Sequence, residues 1–408
     1  MKNFNVLIDG YNLRLKNGSG IKYYTLSLAK ILKNEVNLSF LFDFSLDEEL
    51  LLINFIEKIK RGEFPTSLKK ALMSFVHVLK SFKVDDNVFK EKEFEIYNSS
   101  MIYNKEALFR LVEGLSKYNQ YITLNINNID IFHSTYFLNL KIKKAKRITT
   151  IHDLIPFKLP ETTLDNKKEF YNKVKFALKH SDKIITISEQ SKKDILEYFD
   201  VNDNKIVNCY QSIYMSDINN IKLSVKNRFG LQEKGYFLFV GNIEPKKNIK
   251  RLINAFFSFD NPFPLVIVGR KAWLWEELLK GTEYLIKSKK LIILEYLNRE
   301  ELIALYKNAF AFIFPSLYEG FGLPPLEAMA TETPVITSNI SSLPEVCGDA
   351  AIYCDPYSVS SIREAIIKMI DLSEEERADL IKKGRKRVEF FNEEDYKNRI
   401  LKVYESVL

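Results

Sequence analysis

The sequence predicts an α/β protein built from two doubly wound parallel-sheet domains, and three observations support this prediction. Short apolar runs of strand length alternate with amphipathic helical patterns in both halves of the chain. Several runs are continuously apolar, as expected for parallel strands covered on both faces. The chain has 408 residues, which is enough for two separate cores. The expected strands are NVLID, DIFHST, RITTIHD and KIITIS in the first half, and FLFVG, PLVIVG, LIILEYL, AFAFIF and PVITS in the second.

The alternation of patterns also sets the expected domain limits. We expect a first domain over residues 1–215, with a variable helical insertion at about 45–120 that is rich in Phe and Lys. A second domain is expected over residues 230–393, after a linker near Ser216–Leu231. Residues 394–408 predict a terminal helix.

The first predicted unit is a strand, a glycine-containing loop and a helix. The strand NVLID is followed by a loop with Gly18 and Gly20, and then by a helix whose inward face carries Tyr24, Leu28 and Leu32. Tyr23 stands where a dinucleotide fingerprint would have its third glycine. The sequence therefore argues against a nicotinamide site.

A basic amphipathic stretch lies within the insertion. Residues 67–82, SLKKALMSFVHVLKSF, place apolar residues at helical spacing between lysines, and residues 138–147 add a second basic cluster. Such a helix can lie on an anionic bilayer. It can equally pack its apolar face on the first domain. Both interpretations stay open.

Polar residues at two later strand ends of the first half are candidates for a site. His152 and Asp153 follow the strand RITTI, where parallel strands turn their carboxyl ends toward a cleft. A neutral imidazole there can donate one hydrogen bond and accept another, although a buried core histidine is the alternative. His133 also follows a strand and could line the acceptor side. Ser188 is expected to cap the next helix.

The second half opens with a strand, a turn and an amphipathic helix. The strand FLFV is followed by a loop with Asn242, Lys246 and Lys247, and the helix buries Ile249, Leu252, Ile253 and Phe256. Two ammonium groups in such a loop can neutralise a diphosphate that gains charge as a bond breaks. Solvated surface lysines are the alternative in a chain with 60 Lys and Arg.

The most informative segment is AFAFIFPSLYEGFGLPPLEAMA, which predicts a strand, a tight loop and a helix start. Gly320 and Gly322 allow close backbone approach, and the two prolines that follow suit a first helical turn. Glu319 and Glu327 flank this turn and can accept hydrogen bonds from hydroxyls, as a hexose beside a ribose would offer. Further on, Ser342 and Glu345 fit an S-x-x-E capping box, so Glu345 is expected to be structural.

At these residues the chain resembles the retaining glycosyltransferases of GT-B architecture, in particular those of family 4. The shared signature is Glu, seven residues and Glu, here Glu319 to Glu327 within EGFGLPPLE. The resemblance implies two facing Rossmann-like domains with a cleft between them, of which the first binds the acceptor and the second binds the nucleotide-sugar donor. It also implies a terminal helix at 394–408 that crosses back to the first domain. It also implies that His152 and Glu319 act on the reacting hexose. The donor-binding residues that it implies are Gly20, Asn242, Lys246, Lys247, Glu319, Gly320, Phe321, Gly322, Leu323 and Glu327.

The expected activity is transfer of a hexose, mannose favoured, from a nucleotide diphosphate sugar to a glycan or lipid-linked acceptor. GDP-mannose is the favoured donor, and the expected setting is surface polysaccharide or lipopolysaccharide synthesis. No metal or other cofactor is expected, since no D-x-D site stands out and the lysines can serve the leaving diphosphate. Two alternatives stay open: a nucleotide-sugar epimerase of similar fold, and a noncatalytic basic surface-binding protein.

Composition agrees with a cytoplasmic enzyme. Cys209, Cys347 and Cys354 show no C-x-x-C pairing, which favours a reduced setting without structural zinc. No apolar run approaches the roughly 20 residues that span a bilayer, and the start lacks a signal-peptide core. The formal net charge is +7, but the basic residues are spread out and match no nucleic-acid motif. We therefore expect no nucleic-acid partner, and contact with the inner face of the plasma membrane stays open.

Overall fold

The computed structural model describes residues 4–14, 20–43, 80–83, 101–105, 107–213, 218 and 223–408. Within these residues the protein has two sheets that are parallel except for the edge strand at Lys80–Lys83, and each has helices around it, so the predicted α/β fold class is confirmed. The first sheet has the strand order β10-β9-β8-β6-β1-β2-β4-β3 and the second β13-β12-β11-β14-β15-β16. Two further strands, β5 and β7, pair with each other.

The first half contains ten strands and five helices in the described residues. The strands are β1 (Asn5–Asp9), β2 (Asn37–Phe42), β3 (Lys80–Lys83), β4 (Met101–Asn104), β5 (Ile122–Leu124), β6 (Ile131–Ser134), β7 (Leu140–Ile142), β8 (Lys146–Ile151), β9 (Lys183–Thr186) and β10 (Ile206–Asn208). The helices are α1 (Gly20–Leu32), α2 (Leu108–Ser116), α3 (Ile155–Lys158), α4 (Lys167–His180) and α5 (Glu189–Tyr198).

The second half continues the alternation. Its strands are β11 (Phe237–Val240), β12 (Leu265–Val268), β13 (Leu291–Leu294), β14 (Ala311–Phe314), β15 (Val335–Ser338) and β16 (Ala351–Cys354). Its helices are α6 (Val225–Phe229), α7 (Ile249–Phe256), α8 (Trp275–Leu279), α9 (Glu283–Lys287), α10 (Arg299–Asn308), α11 (Leu323–Ala330), α12 (Leu343–Cys347), α13 (Val359–Asp371), α14 (Glu374–Phe390) and α15 (Glu393–Glu405).

The predicted inward faces of two helices are buried. Tyr24, Leu28 and Leu32 of α1 are at most 1% exposed, and the four apolar residues expected on α7 are at most 5% exposed. Both helices follow the first strand of their domain and cover the sheet with this face. The apolar periodicity of 3.6 residues therefore gave the right faces.

One predicted helix is wrong at its end. The basic stretch was expected to be helical through Phe82, but Lys80–Lys83 form the edge strand β3, antiparallel to β4. Pairing with an existing sheet edge outweighs local helical spacing here. Residues 44–79 lie outside the described part of the chain, so the question of membrane contact or packing at 67–82 stays a prediction.

The last helix, α15, lies against the first sheet domain. Tyr404 of α15 hydrogen-bonds His133 Nδ1 across 2.7 Å, and Glu393 accepts from Lys30 Nζ of α1 at 2.6 Å. Tyr396 is completely buried, next to Tyr24. The end of the chain thus ties the two domains together.

None of the described helices is both long enough and apolar enough to cross a membrane.

Candidate active site

Strand pairing in the second sheet sets the positions of the two loops that carry the predicted donor residues. β11 and β14 are parallel neighbours, so the loops at their carboxyl ends lie side by side. Leu317 N–H donates to the Lys246 carbonyl at 2.8 Å, and the Ser316 hydroxyl reaches the same carbonyl at 3.1 Å. These contacts hold the lysine loop against the loop that carries Glu319.

Glu319 forms an ion pair with Lys247. Lys247 Nζ donates to Glu319 Oε1 at 2.5 Å, and Ser316 Oγ donates to the same oxygen at 2.5 Å. The side chains of Lys247 and Glu319 are 13% and 14% exposed, so the pair is largely removed from solvent. A cation and an anion thus lie side by side beyond the carboxyl ends of β11 and β14.

Lys246 lies in a strongly acidic environment. Its Nζ is 3.5 Å from Glu244 Oε1. Burial lowers the pKa of Lys246, but the carboxylates of Glu244, Glu319 and Asp153 together outweigh burial and hold that pKa above its ordinary value. The ammonium group is therefore charged at neutral pH and suited to a phosphate. Asn242 lies partly buried in the turn that leads to this loop.

Glu327 is the fifth of the eight residues of α11 and is held by two side chains from α10. Arg299 Nη1 donates to Oε1 at 2.9 Å and Tyr306 OH donates to Oε2 at 3.0 Å. Sequence reasoning missed Arg299, because nothing in the local pattern distinguishes it from an ordinary residue at a helix start. In the structure it follows Asn298, which forms a capping box with Glu301. A crevice beside Glu327 is lined by Tyr23, Tyr24, Ser27, Gln211, Ser212, Arg299 and Leu323.

The remaining predicted donor residues differ in backbone conformation and in which of their atoms a ligand could contact. Gly322 has φ +132°, a conformation that favours glycine, and is the N-cap residue of α11. The Phe321 side chain is 2% exposed and packs on Phe391, so only its backbone can meet a ligand. Gly20 is exposed at the start of α1, with no heavy atom within 4 Å of an added Cβ. The preceding residues 15–19 of that loop lie outside the described part of the chain.

His152 is positioned by the first sheet. β6, β8 and β9 are neighbours, so their carboxyl ends bring Thr135, His152 and Ser188 together. His152 Nε2 lies 3.0 Å from the Thr135 carbonyl, which can only accept, so Nε2 carries the proton and Nδ1 is an acceptor. Burial lowers the pKa of His152 to about 4, and the ring is neutral at pH 7.

Asp9 holds Thr135 in place through two hydrogen bonds. The Thr135 backbone N–H donates to Asp9 Oδ2 at 2.5 Å, and its hydroxyl donates to the same oxygen at 3.0 Å. Asp9 is completely buried, and burial raises the pKa of its carboxyl to about 6. This chain of hydrogen bonds orients the imidazole of His152.

The two domains meet directly at the predicted site. Ser188 Oγ donates to the Gly320 carbonyl at 2.6 Å, and Ser191 Oγ lies 2.7 Å from the His152 carbonyl. Tyr318 OH donates to Asp194 Oδ2 of α5 at 2.6 Å. The glycine loop of the second domain thus packs against the histidine strand end of the first.

The expected capping box at Ser342 and Glu345 is wrong. The Ser342 hydroxyl reaches the Glu319 and Phe321 carbonyls, at 2.9 and 2.5 Å, and makes no cap hydrogen bond. Glu345 instead accepts from the backbone N–H groups of Glu189 and Gln190, at 2.6 and 3.1 Å. Its carboxylate therefore accepts hydrogen bonds from backbone N–H groups at the N-terminus of α5, in the other domain, that have no partner within the helix.

The suggestion that His133 lines the acceptor side is also wrong. Its ring is completely buried, with Tyr404 OH at 2.7 Å from Nδ1 and Thr150 Oγ1 at 2.8 Å from Nε2. Burial, with a smaller effect of His152, lowers the pKa of His133 to about 3. His133 is thus a neutral core residue under the last helix.

Replacing His133 by Gln is expected to reduce the loss of folding stability at acidic pH. An unfolded histidine binds a proton below about pH 6.5, whereas the folded His133 does so only near a pKa of about 3. Stability is therefore lost as pH falls through this window, by about 2 kcal/mol at pH 5 for this one group. Urea unfolding at pH 7 and pH 5 should show a smaller loss in the variant. His152 stays in both proteins, so an equal loss would contradict the assignment.

Among the described residues, no group of three or more His, Cys, Asp and Glu side chains is placed to hold a metal ion.

Two family models match the chain. Residues 224–387 match the model described as glycosyl transferases group 1, and residues 76–211 match the model described as glycosyltransferase family 4. Both domains are therefore covered by glycosyltransferase models, which confirms the resemblance seen in the sequence.

Curated relatives include enzymes of O-antigen synthesis. O-antigen chain mannosyltransferase B of Escherichia coli is 33% identical over 253 residues, which is 59% of this chain and 65% of the relative. Serotype-specific mannosyltransferase WbdA of Escherichia coli is 33% identical over 238 residues, 55% of this chain and 29% of the relative. O-antigen chain mannosyltransferase RfbU of Salmonella typhimurium is 33% identical over 217 residues, 53% of this chain and 59% of the relative. The matches span less than two thirds of each relative's length.

Solved structures share the fold over nearly the whole chain. Sucrose-phosphate synthase from Thermosynechococcus elongatus has a TM-score of 0.68 at 16% identity, covering 99% of this chain and 98% of that one. HepE from Anabaena, solved in complex with UDP and glucose, has a TM-score of 0.67 at 13% identity, covering 99% and 100%. At these identities the likeness shows the fold alone. The two family models show that this chain belongs to the group 1 and family 4 glycosyltransferases, and its fold is their GT-B architecture.

Proposed function

We propose that the protein is a retaining hexosyltransferase that moves mannose from GDP-mannose to a hydroxyl of a glycan or lipid-linked acceptor. One observation carries the proposal. Lys246, Lys247 and Glu319 lie on the loops that follow two adjacent strands of the second domain, and Glu327 lies on the helix after the second of these loops. His152 of the first domain packs against that same loop at Gly320. This arrangement places cations for a diphosphate, carboxylates for hydroxyls and a neutral imidazole on neighbouring elements where the two domains meet.

The lysines would carry the departing diphosphate. As the glycosyl bond breaks, negative charge grows on the leaving phosphate, and Lys247 and Lys246 supply fixed positive charge close to it. The positive end of the α11 dipole adds favourable charge there. We propose that no metal and no other cofactor takes part, because these groups supply the required charge.

Glu319 and Glu327 would hold the sugar and the ribose. Glu319 Oε1 already accepts from Lys247 and Ser316, so a hexose hydroxyl would donate to its second oxygen, Oε2. Glu327 is oriented by Arg299 and Tyr306 and can still accept from ribose hydroxyls. Each carboxylate is therefore held in place before the donor arrives.

His152 would meet the reacting hexose as a neutral acceptor. With Nε2–H bonded to the Thr135 carbonyl, Nδ1 can accept from a sugar hydroxyl. The proposed chemistry needs no covalent enzyme intermediate: the leaving phosphate takes the proton of the attacking acceptor on the same face, which retains the anomeric configuration. Domain contact through Gly320, Ser188 and Ser191 would exclude water from this step.

The relatives support mannose and the biological setting. Three of them are named as O-antigen or serotype-specific mannosyltransferases, which favours GDP-mannose and surface polysaccharide or lipopolysaccharide synthesis. HepE, solved with UDP and glucose, makes UDP-hexoses the second choice. We propose a cytoplasmic location, with contact at the inner membrane face if the basic stretch at 67–82 meets anionic lipid.

Changing Glu327 to Ala is expected to abolish most of the thermal stabilisation by the donor nucleotide. A ligand that binds only the native protein raises the free energy of unfolding, and the increase grows with the logarithm of the ratio of ligand concentration to Kd. Wild type should therefore shift most with GDP or GDP-mannose in a panel of GDP, UDP, dTDP and ADP and their sugar conjugates. The matched control is Glu332→Ala, an exposed glutamate paired with Arg385 away from the crevice.

The outcomes of this panel separate the possible functions. No shift with any nucleotide would contradict the proposal and favour a noncatalytic surface-binding protein. A shift followed by a new sugar nucleotide made from the donor alone would favour an epimerase. Equal shifts in wild type and Glu327→Ala would remove the ribose role of Glu327.

A further inference from the structure

The second sheet ends at the edge strand β16, and a groove of about 630 Å³ opens along this strand. Ala351, Ile352 and Tyr353 of β16 lie at the bottom of the groove, and residues of α13 and α14 form its two walls. We infer that the groove is a docking site for an extended peptide segment of a partner protein, which pairs with β16 as a further strand of the sheet. The residues proposed to bind the donor do not line the groove, so the inference does not depend on the proposed transfer.

The two walls of the groove lie on opposite faces of the sheet. The order of the strands reverses between β11 and β14, so the helices that follow them, α7 and α11, cover opposite faces when both crossovers are right-handed. α13 packs on α7, and α14 packs on α11. The edge of β16 therefore lies between two helices, with room for a strand between them.

Alternate residues of β16 direct their backbone groups into the groove. The Asn339 N–H donates to the Cys354 carbonyl at 2.9 Å, so the backbone groups of Cys354 face β15. Because this direction alternates along a strand, Ile352 also faces β15, whereas the N–H and C=O groups of Ala351 and Tyr353 face the groove. The part of the chain that the structure describes gives these groups no hydrogen-bond partner. A row of donors and acceptors on every second residue matches another extended backbone.

The sequence of β16 lacks the residues that keep a sheet edge from pairing. Its four residues, AIYC, include no charged residue and no proline. By contrast, β3 at the edge of the first sheet has the sequence KSFK, which begins and ends with lysine. Lysine and proline are common on edge strands that stay unpaired. The backbone of β16 is therefore open to pairing with a segment that can enter the groove.

The shape of the groove favours a single peptide segment over a second copy of the chain. The chain passes from α13 to α14 through Leu372 and Ser373, and Leu372 lines the groove, so this connection links the two walls at one end. The β16 of a second copy would bring its own α13 and α14 against the same two helices before the strands could pair. A lone segment has no such helices. Since β16 has four residues, the segment pairs over about four residues.

The charges on the walls favour a segment with basic side chains. Glu364, Glu376 and Asp379 line the groove together with Lys368 and Lys383. Lys383 Nζ lies 2.7 Å from Asp379 Oδ2, and these two charges neutralise each other. Two carboxylates and one ammonium group are then left on the walls. Lysine side chains that flank the paired part of the segment would be attracted to this negative excess.

Binding of a synthetic peptide to the full chain tests the inference. The probe is fluorescein-KVTVTVK-amide, whose valines and threonines favour a strand, and fluorescence anisotropy measures its binding. N-methylation of alternate residues should leave binding in place, because one edge of the peptide can still pair. N-methylation of all its valines and threonines should abolish binding. Equal binding of that fully methylated peptide would overturn the inference, because side chains alone would then account for the affinity.

Two variants test whether the probe binds at β16. Ala351→Pro removes one N–H group from the edge and leaves the ladder with β15, which Ile352 and Cys354 form. It should weaken binding of the probe by about 10-fold, the cost of a hydrogen bond whose partner stays unpaired. Glu364→Lys, at an exposed position, should weaken binding of the probe by about 2- to 5-fold and strengthen that of fluorescein-EVTVTVE-amide by a similar factor.

The second variant keeps the test valid if the proline variant does not fold, because Glu364 is exposed on α13. Its matched control is Glu389→Lys, an exposed glutamate of α14 that does not line the groove, which should change neither affinity. Unchanged affinities in Glu364→Lys and in folded Ala351→Pro would place the peptide elsewhere and overturn the inference.

Hydrogen exchange of the wild type shows directly which strand the peptide contacts. The amides of Ala351 and Tyr353 should exchange fast in the free protein and slowly with the probe bound, while those of Ile352 and Cys354 stay slow in both. No change at the first two amides, or no saturation of the anisotropy at about 1 mM probe, would overturn the inference. A dimer in analytical ultracentrifugation that protects these amides without peptide would also overturn it, because the edge would then pair with a second copy of the chain.

Discussion

Replacing Lys247 by Met is expected to lower kcat by about 10²- to 10³-fold, the usual cost of removing one preorganised group that stabilises transition-state charge. Met keeps most of the side-chain stem, which lies against the Phe314 ring with Nζ 4.9 Å from its centroid. The donor KM should change far less, because the charge on the diphosphate grows mainly as the bond breaks. Release of GDP from GDP-mannose, measured with acceptor present, gives both constants.

The stability of the Lys247 variant must be measured beside its activity. The lysine pairs with Glu319, and its removal leaves that carboxylate with Ser316 as its remaining side-chain donor. For a largely buried pair we expect a loss of about 1–3 kcal/mol. Adding Glu319→Gln removes the unpaired charge, so the double variant should regain stability without regaining turnover. A single variant that loses activity only because it unfolds would contradict the phosphate role.

Two comparison variants show whether the effect belongs to this lysine. Lys250→Met removes an exposed lysine from α7, one turn further along the chain, and should leave kcat unchanged. Lys246→Met removes the neighbouring lysine, whose Nζ lies 3.5 Å from Glu244 Oε1. If the Lys246 variant loses more turnover than the Lys247 variant, the main phosphate contact belongs to Lys246.

Local patterns were sufficient to predict the strands that carry the site. Runs such as AFIF and LVIV are apolar at every position because both faces of their sheet are covered, and their ends are marked by Gly, Pro or polar residues. ITTI carries two threonines and is buried at every position as well. Glu319, Glu327 and His152 were found from strand ends of this kind. The edge strand β3 was not predicted, because its extended conformation comes from pairing with β4 and its own sequence has no strand pattern.

Contacts between the two domains could not be predicted from local patterns. Glu345 satisfies the first turn of α5, about 155 residues earlier in the chain, and Ser188 donates to the Gly320 carbonyl. An S-x-x-E pattern has the same local form whether Glu reaches its own helix or another one. Arg299 is a similar case, since its partner Glu327 lies on the following helix. Such pairings follow from the packing of the folded chain.

Replacing Gly320 by Ala is expected to lower kcat/KM by about 100-fold, through displacement of the two domains at the site. An added Cβ would lie 2.6 Å from the His152 carbonyl oxygen and 3.0 Å from Asp153 Cβ, so one domain must move away from the other. A misplacement of about 1 Å can cost about 10²-fold in rate, because reacting groups must be held at close range. The added methyl group should also cost about 1–3 kcal/mol of stability through overpacking.

The controls for Gly320→Ala separate domain placement from the general cost of losing a glycine. Gly114→Ala, on α2, meets no heavy atom within 4 Å and should stabilise the helix by about 0.5–1 kcal/mol with activity unchanged. Ser188→Ala removes the hydrogen bond to the Gly320 carbonyl without adding a clash, so its loss of activity should be smaller. Small-angle scattering with GDP-mannose should show that Gly320→Ala stays more open than wild type. Full activity of Gly320→Ala would mean that the close contact between Gly320 and His152 is not the arrangement in which transfer occurs, because the Cβ and that contact cannot coexist.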